Sequence, residues 1–328
     1  MKTAVFSSHG FDRPSLAKAA EGKHELVYYT EELHLQTVHL AEGCEAVALF
    51  TSDDAAGPVL EALHAIGVRF VALRSAGYNH CNLATAKRLG IGVARVPGYS
   101  PYAIAEFATA LLMALNRKIV EAQWLIAQQD FRLDSLVGFD VHGKTVGIVG
   151  LGKTGEAFAR IMHGFGANLL CTDIVPNEAV AKELGIEYVP LDALCNRADI
   201  VSIHCPLTPE TKYLFGKAQF EAMRHGAIFI HTARGEIVDT AALIDALEEG
   251  KIAAAGLDVY EHEKGLFFFD HREDEMTDPL FARLLKQKNV LVTGHQAFLT
   301  VNALEGIAQT TMANLDAFAA GTPSGNEL

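Results

Sequence analysis

The run Gly150-Leu151-Gly152-Lys153-Thr154-Gly155 constrains this chain more than any other segment. It follows the apolar run Val146-Gly147-Ile148-Val149 and opens a helix-compatible stretch. Eighteen residues after Gly155, Asp173 closes the next apolar run, Leu169-Leu170-Cys171-Thr172. A strand, a glycine turn, a helix and a second strand ending in an acid make a βαβ unit. Gly150 allows the tight turn, Gly152 lets backbone approach a pyrophosphate, and Gly155 permits close packing of helix on strand. The helix N-terminus offers unpaired N–H groups and a positive dipole to phosphate. Asp173 can accept hydrogen bonds from both ribose hydroxyls, and its charge repels a 2′-phosphate. No Lys or Arg occurs in Ile174-Val175-Pro176-Asn177-Glu178 to offset that repulsion. The expected cofactor is NAD, not NADP.

Further strand candidates continue the alternation: Ile200-Val201-Ser202-Ile203, Ala227-Ile228-Phe229-Ile230, Ala255-Gly256-Leu257-Asp258 and Val290-Leu291-Val292-Thr293. With the two strands above they make six, the inventory of a doubly wound parallel sheet. The first hundred residues alternate as well, with strands expected at Lys2-Thr3-Ala4-Val5-Phe6-Ser7, Leu26-Val27-Tyr28-Tyr29, Ala46-Val47-Ala48-Leu49-Phe50 and Phe70-Val71-Ala72-Leu73. Runs of four to six residues, apolar on both faces, suit parallel strands covered on both sides by helices. Ser100-Pro101 opens a long apolar helix, and a polar linker spans residues 128–140. Val301, Leu304, Ile307, Thr311, Leu315 and Phe318 recur at helical spacing, and one helix is too little for a third domain. The expected fold is α/β, with two Rossmann-like or flavodoxin-like domains. A substrate domain of residues 1–99 plus 299–328 is interrupted by a nucleotide domain of residues 100–298.

Lys and Arg total 27 against 40 Asp and Glu, for a net charge of −13. Nucleic acid and anionic membrane surfaces are therefore excluded as main partners. No apolar run approaches a membrane span, and the N-terminus has no signal-peptide core. Five cysteines, odd in number and without a CxxC pair, read as reduced thiols of a cytoplasmic protein. No HxH, HExxH or clustered carboxylates point to a metal.

Beyond the glycine run, four segments are distinctive: Ser202-Ile203-His204-Cys205-Pro206-Leu207-Thr208-Pro209-Glu210-Thr211, Ala233-Arg234-Gly235, Gly256-Leu257-Asp258-Val259-Tyr260-Glu261-His262-Glu263 and Thr293-Gly294-His295-Gln296-Ala297-Phe298. With Arg74-Ser75-Ala76-Gly77-Tyr78-Asn79 and the C-terminal Asn326-Glu327-Leu328, they resemble the D-isomer-specific 2-hydroxyacid dehydrogenase family over nearly the whole chain. Within it they are most similar to the bacterial fermentative D-lactate dehydrogenases. The resemblance implies NADH-dependent, reversible reduction of pyruvate to D-lactate by a homodimer or homotetramer. It implies a catalytic triad of Arg234, Glu263 and His295, with 29 residues between the first two positions and 32 between the last two. Asp258 would fix the nicotinamide carboxamide. Lys153, Thr154, Asp173, Cys205, Pro206, Thr211, Thr232 and Ala233 would be further cofactor contacts. The backbone of Ala76 and Gly77, with Tyr99 and Phe298, would line the substrate pocket. The chain departs from the family pattern at His231-Thr232-Ala233, where Asn-Thr-Ser is commoner, at Phe107, and at Cys81-Asn82.

The chemistry accounts for these residue types. Reducing a 2-keto acid needs a fixed carboxylate, a polarised carbonyl, a hydride on one face and an acid for the forming alkoxide. An arginine presents a planar fork that holds a carboxylate and reaches the carbonyl oxygen. A histidine acts as acid in reduction and base in oxidation, and an acid on its other ring nitrogen fixes the tautomer and favours imidazolium. Two alternatives stay open: a dehydrogenase of larger 2-keto acids, and a non-catalytic NAD-sensing regulator. The latter would have no need to keep Arg234, Glu263 and His295 together. Outside the triad, His204, His225, His231 and His262 read as structural, Glu261 as part of a solvated turn, and Leu266-Phe267-Phe268-Phe269-Asp270 as packing.

Overall fold

Short runs that are apolar on both faces become strands of two parallel sheets, and three of the four edge strands are only two or three residues long. A computed structural model describes residues 1–328. The chain divides into two compact units, Met1–Ser100 with Leu299–Leu328, and Pro101–Phe298.

In the first unit the order is β1 (Lys2–Val5), α1 (Arg13–Ala20), β2 (Glu25–Tyr28), β3 (Ala46–Leu49), α2 (Gly57–Ala65), β4 (Phe70–Leu73), α3 (Leu83–Leu89) and β5 (Gly92–Ala94). All pairings are parallel, in the order β2-β1-β3-β4-β5. Every residue of β3 and β4 is buried, whereas edge strand β2 keeps partial exposure. The three-residue β5 was not among the expected strands, because Gly92-Val93-Ala94 is too short to register as an apolar run.

The second unit opens with α4 (Pro101–Asn116) and α5 (Ile119–Ala127). The long apolar helix expected from Ser100-Pro101 is α4, and α5 is a second helix that the sequence reading did not separate, set off because Lys118 takes a left-handed φ of 53°. The Asn116 side chain then pairs with the backbone of Phe139, donating to its carbonyl at 2.7 Å and accepting its N–H at 2.9 Å. There follow β6 (Thr145–Val149), α6 (Lys153–Gly164), β7 (Asn168–Thr172), α7 (Glu178–Leu184), β8 (Glu187–Tyr188), α8 (Leu191–Arg197), β9 (Ile200–Ile203), α9 (Lys217–Ala222), β10 (Ala227–His231), α10 (Thr240–Glu248), β11 (Ile252–Leu257), α11 (Pro279–Leu285) and β12 (Val290–Val292). The sheet is wholly parallel, ordered β12-β11-β10-β9-β6-β7-β8. It has seven strands, not six; the two-residue, half-polar β8 left no periodic signal. Strand order reverses between β6 and β9, the switch point at which open α/β sheets bind ligands.

Helix α12 (Val301–Ala320) returns the chain to the first unit. Thr300 caps it by accepting the Ala303 N–H at 3.1 Å, and Gly321 ends it in the left-handed region. Ala308, Met312 and Leu315 join the core on one face of the first sheet, and Phe318 stacks on Phe70 with ring centroids 4.5 Å apart. Helix α6 shows the matching logic in the second unit. Gly155, Phe158, Ala159 and Met162 are buried at i, i+3, i+4 and i+7, the single apolar stripe of a helix lying on a sheet.

Candidate active site

The glycine turn folds as its spacing requires. Gly150 has φ of 94°, and a Cβ there would stand 2.8 Å from the Cys205 amide nitrogen, at the switch point between β6 and β9. A Cβ on Gly155 would lie 2.0 Å from the Gly150 carbonyl oxygen. The open position is Gly152, the N-cap of α6, which carries no side-chain capping bond and has no atom within 4 Å of a would-be Cβ. Gly152 and Lys153 are exposed and Thr154 is half-buried, so the first N–H groups of α6 face an accessible site. Asp173, at the end of β7, accepts from the Val175 and Leu151 amides and so ties the glycine turn to the neighbouring strand. Ile174 is 98% and Val175 is 74% exposed, an apolar pair beside an acid, suited to the face of a base. Sequence reading passed over the pair because exposure cannot be read from an apolar residue type.

Around the next two strand ends the other expected contacts gather. Burial pushes the Cys205 thiol up to about 11, which leaves it a neutral packing group. The Thr211 hydroxyl donates to the Pro206 carbonyl at 2.7 Å and accepts the Thr208 N–H, holding that loop as a turn. Thr232 is buried with its hydroxyl unpartnered. A capless helix terminus, an exposed glycine and an orphaned hydroxyl are what a bound dinucleotide would satisfy.

Arg234, Glu263 and His295 follow β10, β11 and β12, three neighbouring strands. The His295 Nδ1 lies 2.7 Å from Glu263 Oε1, both side chains being largely enclosed. The other Glu263 oxygen accepts the Tyr260 amide at 3.1 Å, so the carboxylate cannot turn away. Burial pushes the Glu263 carboxyl up, but the bond to His295, its charge and the Tyr260 amide outweigh it and hold the group below the usual carboxylate range. The Nε2 of His295 makes no bond within the protein. Arg234 spends one donor on the Ala233 carbonyl at 2.7 Å, pairs with no carboxylate, and keeps the rest of its fork available.

Two devices set this geometry. Asp258, fully enclosed, accepts from the Thr293 hydroxyl at 2.6 Å and from the Gln296 and Ala297 amides, while its carbonyl takes the His295 amide at 2.7 Å. Burial pushes its carboxyl above the usual range against those bonds. The second device is Gly235, whose Cβ would sit 2.1 Å from the Tyr260 carbonyl carbon, so that the Arg234 backbone lies against the turn that carries Glu263. Neither role was evident in the sequence.

The histidines divide. His204 and His231 are buried, and burial takes them down to about 3 and about 4, so both are neutral near pH 7. The His231 Nε2 lies 2.8 Å from the Arg234 carbonyl. His225 and His262 are exposed. Glu261 is not a solvated acid: it is half-buried and accepts from Tyr213 and the Thr240 amide, at 3.0 Å each. Phe268, at a φ of 72°, sets its ring 5.9 Å from that of His295, so the aromatic run reaches the site.

In the first unit Ala76 and Gly77 follow β4 and are half-buried, and their N–H groups donate to no atom of the protein. Tyr99 and, in the second unit, Phe298 are also half-buried. No three metal-binding side chains converge anywhere in the chain.

Residues 109–297 match the model of the D-isomer specific 2-hydroxyacid dehydrogenase family, NAD binding domain. The chain belongs to that family. It is 46% identical to the D-lactate dehydrogenase of Escherichia coli over the whole of both chains, and resembles its apo-structure with a TM-score of 0.91. It is similar to the pyruvate reductase of Chlamydomonas reinhardtii, at 39% identity and a TM-score of 0.94, covering 99% of this chain and 98% of that one. It is also similar to a D-2-hydroxyisocaproate dehydrogenase, at 28% identity and a TM-score of 0.88, covering 100% and 99%. This dehydrogenase is therefore an NAD-dependent oxidoreductase, and no helix in it is long and apolar enough to cross a membrane.

Gly235→Ala should separate the Arg234 strand end from the Glu263 turn while sparing the glycine loop. We expect kcat to fall about a hundredfold, the scale of an ångström-sized misplacement, with NADH binding unchanged. Titration of NADH fluorescence beside steady-state rates checks this, and wild-type kcat would refute the packing argument.

Proposed function

We propose that this dehydrogenase reduces pyruvate to D-lactate with NADH, reversibly. The observation that carries the chemistry is the 2.7 Å pair of His295 and Glu263 beside an arginine with no acidic partner. Full-length likeness to a D-lactate dehydrogenase supports the choice of pyruvate. The unit Pro101–Phe298 would hold the dinucleotide, and the unit Met1–Ser100 with Leu299–Leu328 would contribute to substrate binding.

Gly150, Gly152 and Gly155, with Lys153 and Thr154, would hold the pyrophosphate, and Asp173 the ribose hydroxyls. Cys205, Pro206, Thr211, Thr232 and Ala233 would line the remainder. Asp258 would take the carboxamide through Oδ2, which has only one protein donor. The bound dinucleotide supplies the hydride that reduces the carbonyl carbon. Arg234 grips the substrate carboxylate with its fork and extends a donor to the carbonyl oxygen, drawing charge toward it. The amides of Ala76 and Gly77 add two donors to the carboxylate, and Tyr99 and Phe298 pack the small side chain. His295, protonated on both nitrogens, gives the Nε2 proton to the oxygen as charge develops. Glu263 keeps the Nδ1 proton and so fixes the tautomer left behind. Lactate oxidation runs these proton movements backwards.

Chiral analysis of the product, with rates for a panel of 2-keto acids, tests the reading. D-Lactate and a highest kcat/KM for pyruvate are expected; L-lactate, or preference for a branched or aromatic keto acid, would overturn it.

Glu263→Gln keeps size and hydrogen bonding but removes the charge that favours imidazolium. Reduction needs protonated His295, so its alkaline limb should move to lower pH, and lactate oxidation should extend to lower pH as well. Because His295 holds the wild-type Glu263 carboxyl low, any acid limb from its protonation lies below the ordinary carboxylate range. Profiles of kcat/KM against pH in both directions decide it, and superimposable curves for the two proteins would sink the triad.

Assembly as a homodimer or homotetramer fits helix α5, which buries no residue and exposes Ile119, Val120, Trp124 and Ile126, with Phe131, Leu133 and Val137 exposed beyond it. That apolar surface suits a second copy of the chain. Trp124 is the sole tryptophan, so its emission should shift to the red on dilution below the dissociation constant. A monomer by sedimentation at micromolar concentration would refute the assignment. A cytoplasmic location, in keeping with the five free cysteines, completes the reading, and recovery from an extracytoplasmic fraction would contradict it.

A further inference from the structure

Arg95 lies just beyond β5 and half-buried, and its guanidinium faces no carboxylate. Its Nη1 donates to the Ala76 carbonyl at 2.9 Å, and its Cζ stands 5.2 Å from the centre of the Tyr78 ring. The contrast with Arg74 is informative. That buried arginine, which opens the loop carrying Ala76 and Gly77, is neutralised by Asp12 and also donates to the Phe6 and Ser7 carbonyls, as a structural brace does. Arg95 keeps its charge uncompensated, directed at a single peptide group.

The Ala76 carbonyl and the Gly77 N–H are two ends of that peptide. A charged donor on the oxygen draws electron density from the nitrogen and strengthens its N–H as a donor. Ser75 treats the next peptide in the same way, its hydroxyl donating to the Gly77 carbonyl at 2.7 Å. The Ala76 and Gly77 N–H groups, like that of Tyr78, have no acceptor in the protein. The main chain that carries Arg95 is anchored on both sides. Its own N–H donates to the Asn326 carbonyl at 3.1 Å, and its carbonyl accepts from buried Asn314, whose Oδ1 accepts from the Asn326 side chain.

We propose that Arg95 is a positioning and polarising residue for substrate: its charge, relayed through the Ala76–Gly77 peptide, makes the Gly77 N–H a strong donor to the carboxylate of the 2-keto acid. This rests on the assignment of that loop to the substrate made above. The anion is recognised by a neutral amide that borrows a positive charge from behind.

The test compares Arg95→Met and Arg95→Lys on pyruvate and on its uncharged amide, pyruvamide, with NADH titration and melting curves alongside. Arg95→Met should raise the pyruvate KM about tenfold, the effect of weakening one charge-assisted bond, and change kcat little. Its kcat/KM for pyruvamide and its NADH binding should stay near wild type, and Arg95→Lys should recover part of the pyruvate KM. An unchanged pyruvate KM, or equal losses on both substrates, would overturn the proposal, the latter marking a merely structural residue. Gly77→Pro, which deletes the N–H itself, separates the two layers of the argument. If it raises the pyruvate KM and Arg95→Met does not, the relay alone is wrong. If Gly77→Pro binds NADH normally and leaves the pyruvate KM untouched, the loop is not a carboxylate site, and both the relay and that part of the functional reading fall.

Discussion

At the end of β11 the enclosed carboxylate of Asp258 collects a hydroxyl and two amides from residues 293–297, and the shape of the site depends on that convergence. An ionised carboxylate without solvent is costly unless its lone pairs are engaged. The segment after β12 satisfies that demand by wrapping around the acid. In doing so it puts His295 into the left-handed region at a φ of 52°, with its ring toward Glu263. The pairing of His295 with Glu263 thus follows from how a neighbouring buried charge is solvated.

Parallel pairing does the larger-scale work. It brings the carboxyl ends of all seven strands of the second sheet to one edge, and those of the five in the first sheet to another. Loops leaving such an edge carry the chemistry, and glycines set how closely they approach. Gly150, Gly155 and Gly235 each lie within 3 Å of foreign backbone at the point where a side chain would begin. The first two shape a phosphate-sized turn and the third sets the spacing of Arg234 and Glu263. Close backbone approach is a shared device of the glycine turn and of the cluster around Glu263 and His295.

Much of this was legible in advance because it depends on local pattern. The βαβ spacing around Gly150, the buried central strands and the returning terminal helix all follow from periodicity and turn chemistry. What escaped depends on contacts between distant segments or on signals too short to carry a period. Strands β5 and β8 have three and two residues. The break at Lys118 has no glycine or proline to announce it. Glu261 looked solvated because its partners, Tyr213 and Thr240, lie 48 and 21 residues away. Asp258 looked like a cofactor ligand alone, since nothing in its own neighbourhood announces the loop it anchors. Arg234, Glu263 and His295 were assigned by likeness of motif; their convergence is a property of the parallel sheet.

The left-handed backbone at His295 has a consequence for how this position can vary. Asparagine and glycine enter that region readily, whereas β-branched and bulky residues do so at a cost of about 1–3 kcal/mol. Replacing the histidine by valine, leucine or phenylalanine would therefore remove the imidazole and press residues 293–297 to unwind from Asp258 at the same time. Asparagine would remove the imidazole and leave the loop in place. The routes by which this enzyme could lose the His295 imidazole in evolution are thus unequal: an asparagine step leaves the fold and the loop intact, whereas a valine step disturbs the scaffold as well. Any descendant that kept the fold for binding alone would be expected to carry a residue at home in that conformation.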